Sequence, residues 1–196
     1  VEWKPMMGWL PPMSETGWQT LFDKYRQFPE YRKVNAGMTL AGFKSIFWLE
    51  FAHRVWGRLI GVVFFAPFLY FTLRRRIPGW LWPHLAAMFV LGGLQGLLGW
   101  YMVMSGLVDR PDVSQYRLAA HLVLAVLIYG YMVWVALGLA DTRRGAGAWR
   151  GGAPQRAGLV VLLLVAVTMV SGAFVAGLDA GLVHNTFPLM DGGLVP

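Results

Sequence analysis

The stretch WLEFAHRVWGRLIGVVFFAPFLYFTL, residues 48–73, decides the fold. It belongs to an apolar run beginning near Ile46, and at about 1.5 Å per residue that run is long enough to cross a hydrocarbon core of roughly 30 Å. Gly57 and Pro67 lie inside it, as membrane helices tolerate. Yet Glu50, His53, Arg54 and Arg58 stand at its head, where a membrane span ought to begin, and Arg74, Arg75 and Arg76 follow its end. Any account of the protein has to explain that charge.

Three more runs follow outward from this one. Residues 85–104 have Gln95 as their strongly polar member, residues 118–140 contain one ionisable group, His121, and residues 158–178 contain none. The whole chain of 196 residues is 57% hydrophobic and 14% charged, with a mean hydropathy of +0.50, which is too apolar for an ordinary soluble domain. The expected fold class is therefore an all-α integral membrane protein, a four-helix transmembrane bundle with an outer amphipathic helical loop. The formal charge of +7 falls in short arginine clusters beside apolar runs. Such clusters read as topology signals, not as a nucleic-acid surface. With no cysteine, disulfides and thiolate metal sites are excluded, and histidine is left as the soft ligand. The opening residues show no basic segment followed by a short apolar one, so no signal peptide is read there.

Basic loops mark the inner side of a membrane. Arg74 to Arg76, and Arg143, Arg144, Arg150 and Arg156, therefore place the loops after the first and third runs on the cytoplasmic or matrix side. The expected organisation is an extracytoplasmic segment over 1–45, three spans carrying the histidines over 46–140, a basic inner loop over 141–157, a fourth span over 158–178 and an outer segment over 179–196. Within the first segment, Ser14 or Thr16 can cap a helix that carries Trp18, Leu21, Phe22 and Tyr25 at helical spacing and stops before Pro29. It reads as a helix lying on the outer surface, with a packed lid as the alternative. The two ends of the chain also echo each other: residues 5–11 and 188–196 both run Pro, Met, Gly, Leu, Pro once short insertions are allowed. A duplicated, longer protein would leave such a trace.

His53 lies 21 residues before Arg74, and His121 lies 20 before Asp141, which sets each roughly 30 Å from the inner face. Equal depth on two helices descending in the same direction suits a planar ligand gripped between imidazoles, as haem iron is held through both axial positions. Their nitrogens would then stand ~4 Å apart, from two metal bonds of ~2 Å. The bland account makes each histidine a helix-to-helix hydrogen bond. For His84, beside Trp82 and Pro83, that account is preferred. Gly57 and Gly61 lie one and two turns below His53 and remove volume where a macrocycle or another helix could approach. Glu50 shares a face with His53 and Arg54. It is either half of a boundary ion pair or an acid or base at the ligand's edge, with Arg54, Arg58, Arg117 and Gln95 as candidates for propionates or the surrounding shell.

Glu50-Phe51-Ala52-His53-Arg54, Leu94 to Val103 (LQGLLGWYMV), Ser114 to His121 (SQYRLAAH), and Gly177 to Gly181 (GLDAG) with Asn185 to Pro188 (NTFP) together resemble the haem A synthase family. The resemblance runs the length of the chain. It implies a membrane oxidoreductase that converts a methyl group of haem O to the formyl group of haem A for cytochrome c oxidase. It implies an eight-helix protein in two halves, each with a histidine pair, one half holding substrate haem and the other a haem b cofactor, with iron in both. His53 and His121 would be the pair of the first half, and Glu50 the acidic residue implicated in catalysis. This sequence would then lack the first helix and the second pair, and so be incomplete alone. Haem O, haem O synthase, a ferredoxin-like electron donor and the lipid bilayer are the partners it implies. A homo-oligomer is left open, and the location would be the bacterial plasma membrane or the mitochondrial inner membrane. The competing readings are a bis-histidine haem b electron carrier, which needs no Glu50, and a haem-free membrane assembly protein.

Overall fold

The computed structural model describes residues 10–106, 113–142, 153–183, 185–186, 189–190 and 192–193. Arg143, Arg144, Arg150, His184 and most of the two echoing termini lie outside the described residues. The regular structure of the described residues is all helical, with an isolated bridge between Met190 and Gly193 and no strand. The elements are α1 (Glu15–Tyr25), α2 (Pro29–Lys33), α3 (Leu40–Leu73), α4 (Trp82–Gly106), α5 (Gln115–Thr142), α6 (Ala153–Gly177) and α7 (Ala180–Val183). Four of them, α3 to α6, contain segments long and apolar enough to cross a membrane, and the chain is a multi-pass membrane protein. Every span begins several residues before its apolar run does, because a helix need not stop where the hydrocarbon does. The chain divides into two compact units, Val1–Asp112 and Val113–Pro196.

In the first unit, Ser14 caps α1 by accepting from the Gly17 amide. Trp18, Phe22 and Tyr25 then fall on one face, and all three are buried. That face does not lie on a lipid surface, as the outer-surface reading of α1 expects; it packs on the head of α3. Phe43, 1% exposed, and Phe47 complete the cluster. Trp18 meets Phe47 edge-on with centroids 4.9 Å apart, and Tyr25 lies 5.0 Å from Phe43. Pro29 does more than end α1. It occupies the first turn of α2, where a missing amide hydrogen costs nothing. The Asn35 amide then donates to the Tyr25 hydroxyl at 2.8 Å and ties the loop after α2 to α1.

Helix α3 has 34 residues, about 51 Å at 1.5 Å each, so some 20 Å of it projects beyond a 30 Å hydrocarbon core. It starts at Leu40, not near Ile46, with Thr39 as its cap. The far end closes with the Arg76 amide on the Phe71 carbonyl and the Arg75 amide on the Thr72 carbonyl, Arg75 being left-handed at φ 49°. Glycine would take that conformation more readily. The helix packs on α4 through Phe65 and Phe89, centroids 4.9 Å apart, and through Phe68 and Trp82.

In the second unit α5 packs on α6 through small residues. Ala119 and Ala173 are buried, and Gly177 approaches Gln115 so closely that a Cβ there would stand 2.7 Å from the Gln115 Cα. Tyr116 packs edge-on against Phe174 beside this crossing. Small residues at one-turn spacing let membrane helices draw their backbones together.

Candidate functional site

The charged residues at the head of the apolar run are not at the head of the helix. Ten residues of α3 precede Glu50, and two of the three aromatic ones among them, Phe43 and Phe47, are buried under α1. Phe43, Phe47, Glu50 and Arg54 follow one another at helical spacing, so the aromatic lid and the charges share a face of α3. The lid ends where the charges begin.

Glu50 and Arg54 form an ion pair one turn apart, Arg54 Nη2 donating to Glu50 Oε1. Both side chains are partly shielded, at 32% and 19% exposure, and with water still near the pair adds little to stability. Its effect is positional: the guanidinium fixes one carboxylate oxygen. His53 lies on the adjoining face and is exposed. One and two turns further along, a Cβ built at Gly57 or Gly61 would meet nothing within 4 Å, so the surface beside the imidazole is open to a flat group. Arg58, half-buried, follows Arg54 by one turn.

Gln95 sits within α4, half-buried, with its Oε1 shielded from solvent. His84 packs edge-on against Trp80, ring centroids 6.3 Å apart. In the second unit, Arg117 and His121 stand one turn apart on α5. Both are half-buried, and the His121 Nδ1 is shielded from solvent. Among the described residues no cluster of three or more His, Cys, Asp or Glu side chains could hold a metal ion.

Sequence reasoning singled out Trp18, Phe22 and Tyr25 and kept a packed lid as its alternative, but missed their partners Phe43 and Phe47 and the part of Asn35. Phe43 and Phe47 adjoin a membrane run and carry no mark to separate protein-facing from lipid-facing aromatics. The signal was available in Trp18, Phe22 and Tyr25, whose stripe needs an apolar partner.

The arrangement is that of a multi-pass helical membrane protein with an ion pair and a histidine on its longest helix, just past the aromatic lid. The chain belongs to the COX15-CtaA family, described as cytochrome oxidase assembly protein, whose model matches residues 1–196. It is 57% identical over 204 residues to a protein of Paramagnetospirillum magneticum named Heme A synthase. Proteins of that name from Parvibaculum lavamentivorans and Nitrosospira multiformis are 53% and 52% identical. Each match covers all of this chain and 56%, 56% and 55% of the relative, so the chain spans about half the length of the curated relatives it matches. No solved structure matches it.

Proposed function

We propose that the protein acts as a haem A synthase, oxidising a methyl group of haem O to the formyl group of haem A for cytochrome c oxidase. The observation that carries this reading is the stretch from Glu50 to Gly61 on α3. An oriented carboxylate, an exposed imidazole and an open glycine surface lie there within three turns, in a chain whose relatives are named for that synthesis. The donor set suits haem: imidazole is the usual axial ligand of iron, and a flat macrocycle needs a surface without side chains beside it.

In this reading His53 and His121 are the axial ligands of the substrate haem. Arg54, Arg58 and Arg117 face its propionates as charge-assisted donors, and Gln95 belongs to the surrounding shell. The methyl group becomes a formyl group through two successive hydroxylations, each consuming one O2, two electrons from the donor and two protons and releasing one water, after which the doubly hydroxylated carbon loses a further water. Glu50 is suited to the protons: Arg54 holds Oε1, and Oε2 is the oxygen that accepts them and passes them on. A haem b cofactor, when bound, supplies electron transfer. A ferredoxin-like donor outside the membrane core delivers reductant, and haem O synthase delivers substrate. The site lies toward the outer face of a bacterial plasma membrane or mitochondrial inner membrane.

The test uses the gene's complete product in proteoliposomes, supplied with haem O, oxygen and a reductant, followed by extraction of the pigment. Hydroxylated and formyl haem are expected, and Glu50→Gln should cut their yield on the order of 100-fold or more while haem binding persists. His53→Ala and His121→Ala should each alter the Soret band, and His84→Ala should not. Absence of any oxidised haem from the unaltered protein overturns the reading.

A further inference from the structure

On the side of His53 away from the Glu50–Arg54 pair, α3 carries Trp56, Ile60, Val63 and Pro67. These follow the histidine at helical spacing and so extend one face of the helix downward from it. With Phe64 and with Leu85 from α4 they line an apolar groove of about 500 Å3, a volume in the range of small-molecule sites. Its floor is firm: Phe64 stacks on Phe89 of α4. The walls are open, Trp56, Ile60 and Val63 being 63%, 65% and 62% exposed. Pro67 at its lower end has no amide hydrogen to give the Val63 carbonyl. The groove thus begins one turn below the imidazole and descends into the membrane, and its lining is apolar side chains.

We infer that this groove is the subsite for the long isoprenoid tail that distinguishes the substrate haem from a haem bearing a vinyl group at that position. The inference rests on the haem reading of His53 proposed above. Three observations converge on it. The groove is continuous with the face of α3 that carries His53, so a macrocycle held there would have its rim at the groove's mouth. From Trp56 to Pro67 the helix rises about 17 Å at 1.5 Å per residue. A farnesyl-derived chain of about twelve carbon–carbon bonds, ~1.5 Å each and zigzagging, extends over roughly 15 Å. The polar side of the helix, with Arg54 and Arg58, lies apart from the groove, so propionates and tail are drawn to different faces and the ring can enter in one orientation. Such an arrangement separates the two haems by a difference in buried apolar area alone.

The test compares haem O with haem B, which lacks the tail, as ligands of the complete gene product in proteoliposomes, each titrated in the absence of reductant and followed by the Soret shift. The unaltered protein should bind haem O about tenfold or more tightly than haem B, from burial of the tail. Ile60→Trp combined with Val63→Trp fills the groove at exposed positions. It should bring the ratio of the two dissociation constants close to one and leave haem B binding as it was, which also shows that the variant has folded. A ratio untouched by the double substitution, or two affinities that fall together, overturns the inference and marks the groove as a seat for lipid or for protein. Failure of the unaltered protein to bind either haem overturns the haem reading of His53 itself, and the tail subsite falls with it.

Discussion

At Gly177 there is no room for a side chain. A Cβ would stand 2.7 Å from the Gln115 Cα and 2.8 Å from its Cβ, and neither is the movable end of a flexible chain. Gly177→Ala must therefore push α5 and α6 apart at their crossing, an overpacking cost of about 1–3 kcal/mol. Thermal unfolding in detergent should show a lowered midpoint. The control is Gly130→Ala in α5, where a Cβ meets nothing within 4 Å and the midpoint should hold or rise. Sequence marked Gly177 only as part of the stretch GLDAG that carries the family resemblance and held no packing reason for it, since the reason is a backbone 62 positions away in the chain. Glu50 and Arg54 are the opposite case. Their spacing of four residues is itself the contact, and the ion pair was legible before any fold was known.

At the scale of elements, the first unit owes its outer end to the lid of α1 and α2. Phe43 is its centre, 1% exposed with Phe22, Tyr25 and Phe47 around it. Phe43→Ala should weaken the lid by about 3–5 kcal/mol, the usual cost of emptying a buried aromatic position. Faster amide hydrogen exchange in α1, with α4 unchanged, is the expected sign. Tyr25 gives the lid a pH limit. Burial pushes its phenol above the ordinary value of 10.0, the Glu30 and Glu50 carboxylates add to that, and the hydrogen bond from Asn35 opposes it. A group raised on folding stabilises the fold fully below its unfolded pKa and loses that contribution as pH climbs past the folded one. The lid should therefore hold from neutrality to about pH 10 and loosen above it. Tyr25→Phe should remove that dependence and, with the Asn35 bond gone, cost about 1 kcal/mol at neutral pH. Phenolate absorbance of the two proteins, compared across that range, checks it. The four spans were legible from apolar length alone. The six residues Leu40 to Ser45 at the head of α3 were left outside the first span, because apolar length marks the part of a helix that suits hydrocarbon and not the part that projects beyond it.

At the scale of the whole molecule, the charge asymmetry of the loops governs which way the spans run. Arg74, Arg75 and Arg76 close α3, and Arg75 adopts a left-handed conformation that costs a non-glycine residue about 1–2 kcal/mol. A cation at a helix C-terminus recovers part of this through the helix dipole, and the basic cluster favours the inner side of the membrane. In the orientation we propose, the lid, packed on the other end of the same helix, belongs outside, and Glu50 and His53 belong at the outer edge of the hydrocarbon. These 196 residues contain no cysteine, so a thiol placed among them can be followed in a background where any other cysteine of the gene product is replaced by serine. Ser45→Cys, exposed on the head of α3, and Gly79→Cys, exposed in the turn before α4, each introduce a single thiol. In sealed, right-side-out vesicles a membrane-impermeant maleimide should label the first and leave the second untouched until the membrane is opened. Labelling of Gly79→Cys in intact vesicles would place the arginines outside, and with them reversed, the proposed site would face the cytoplasm or matrix.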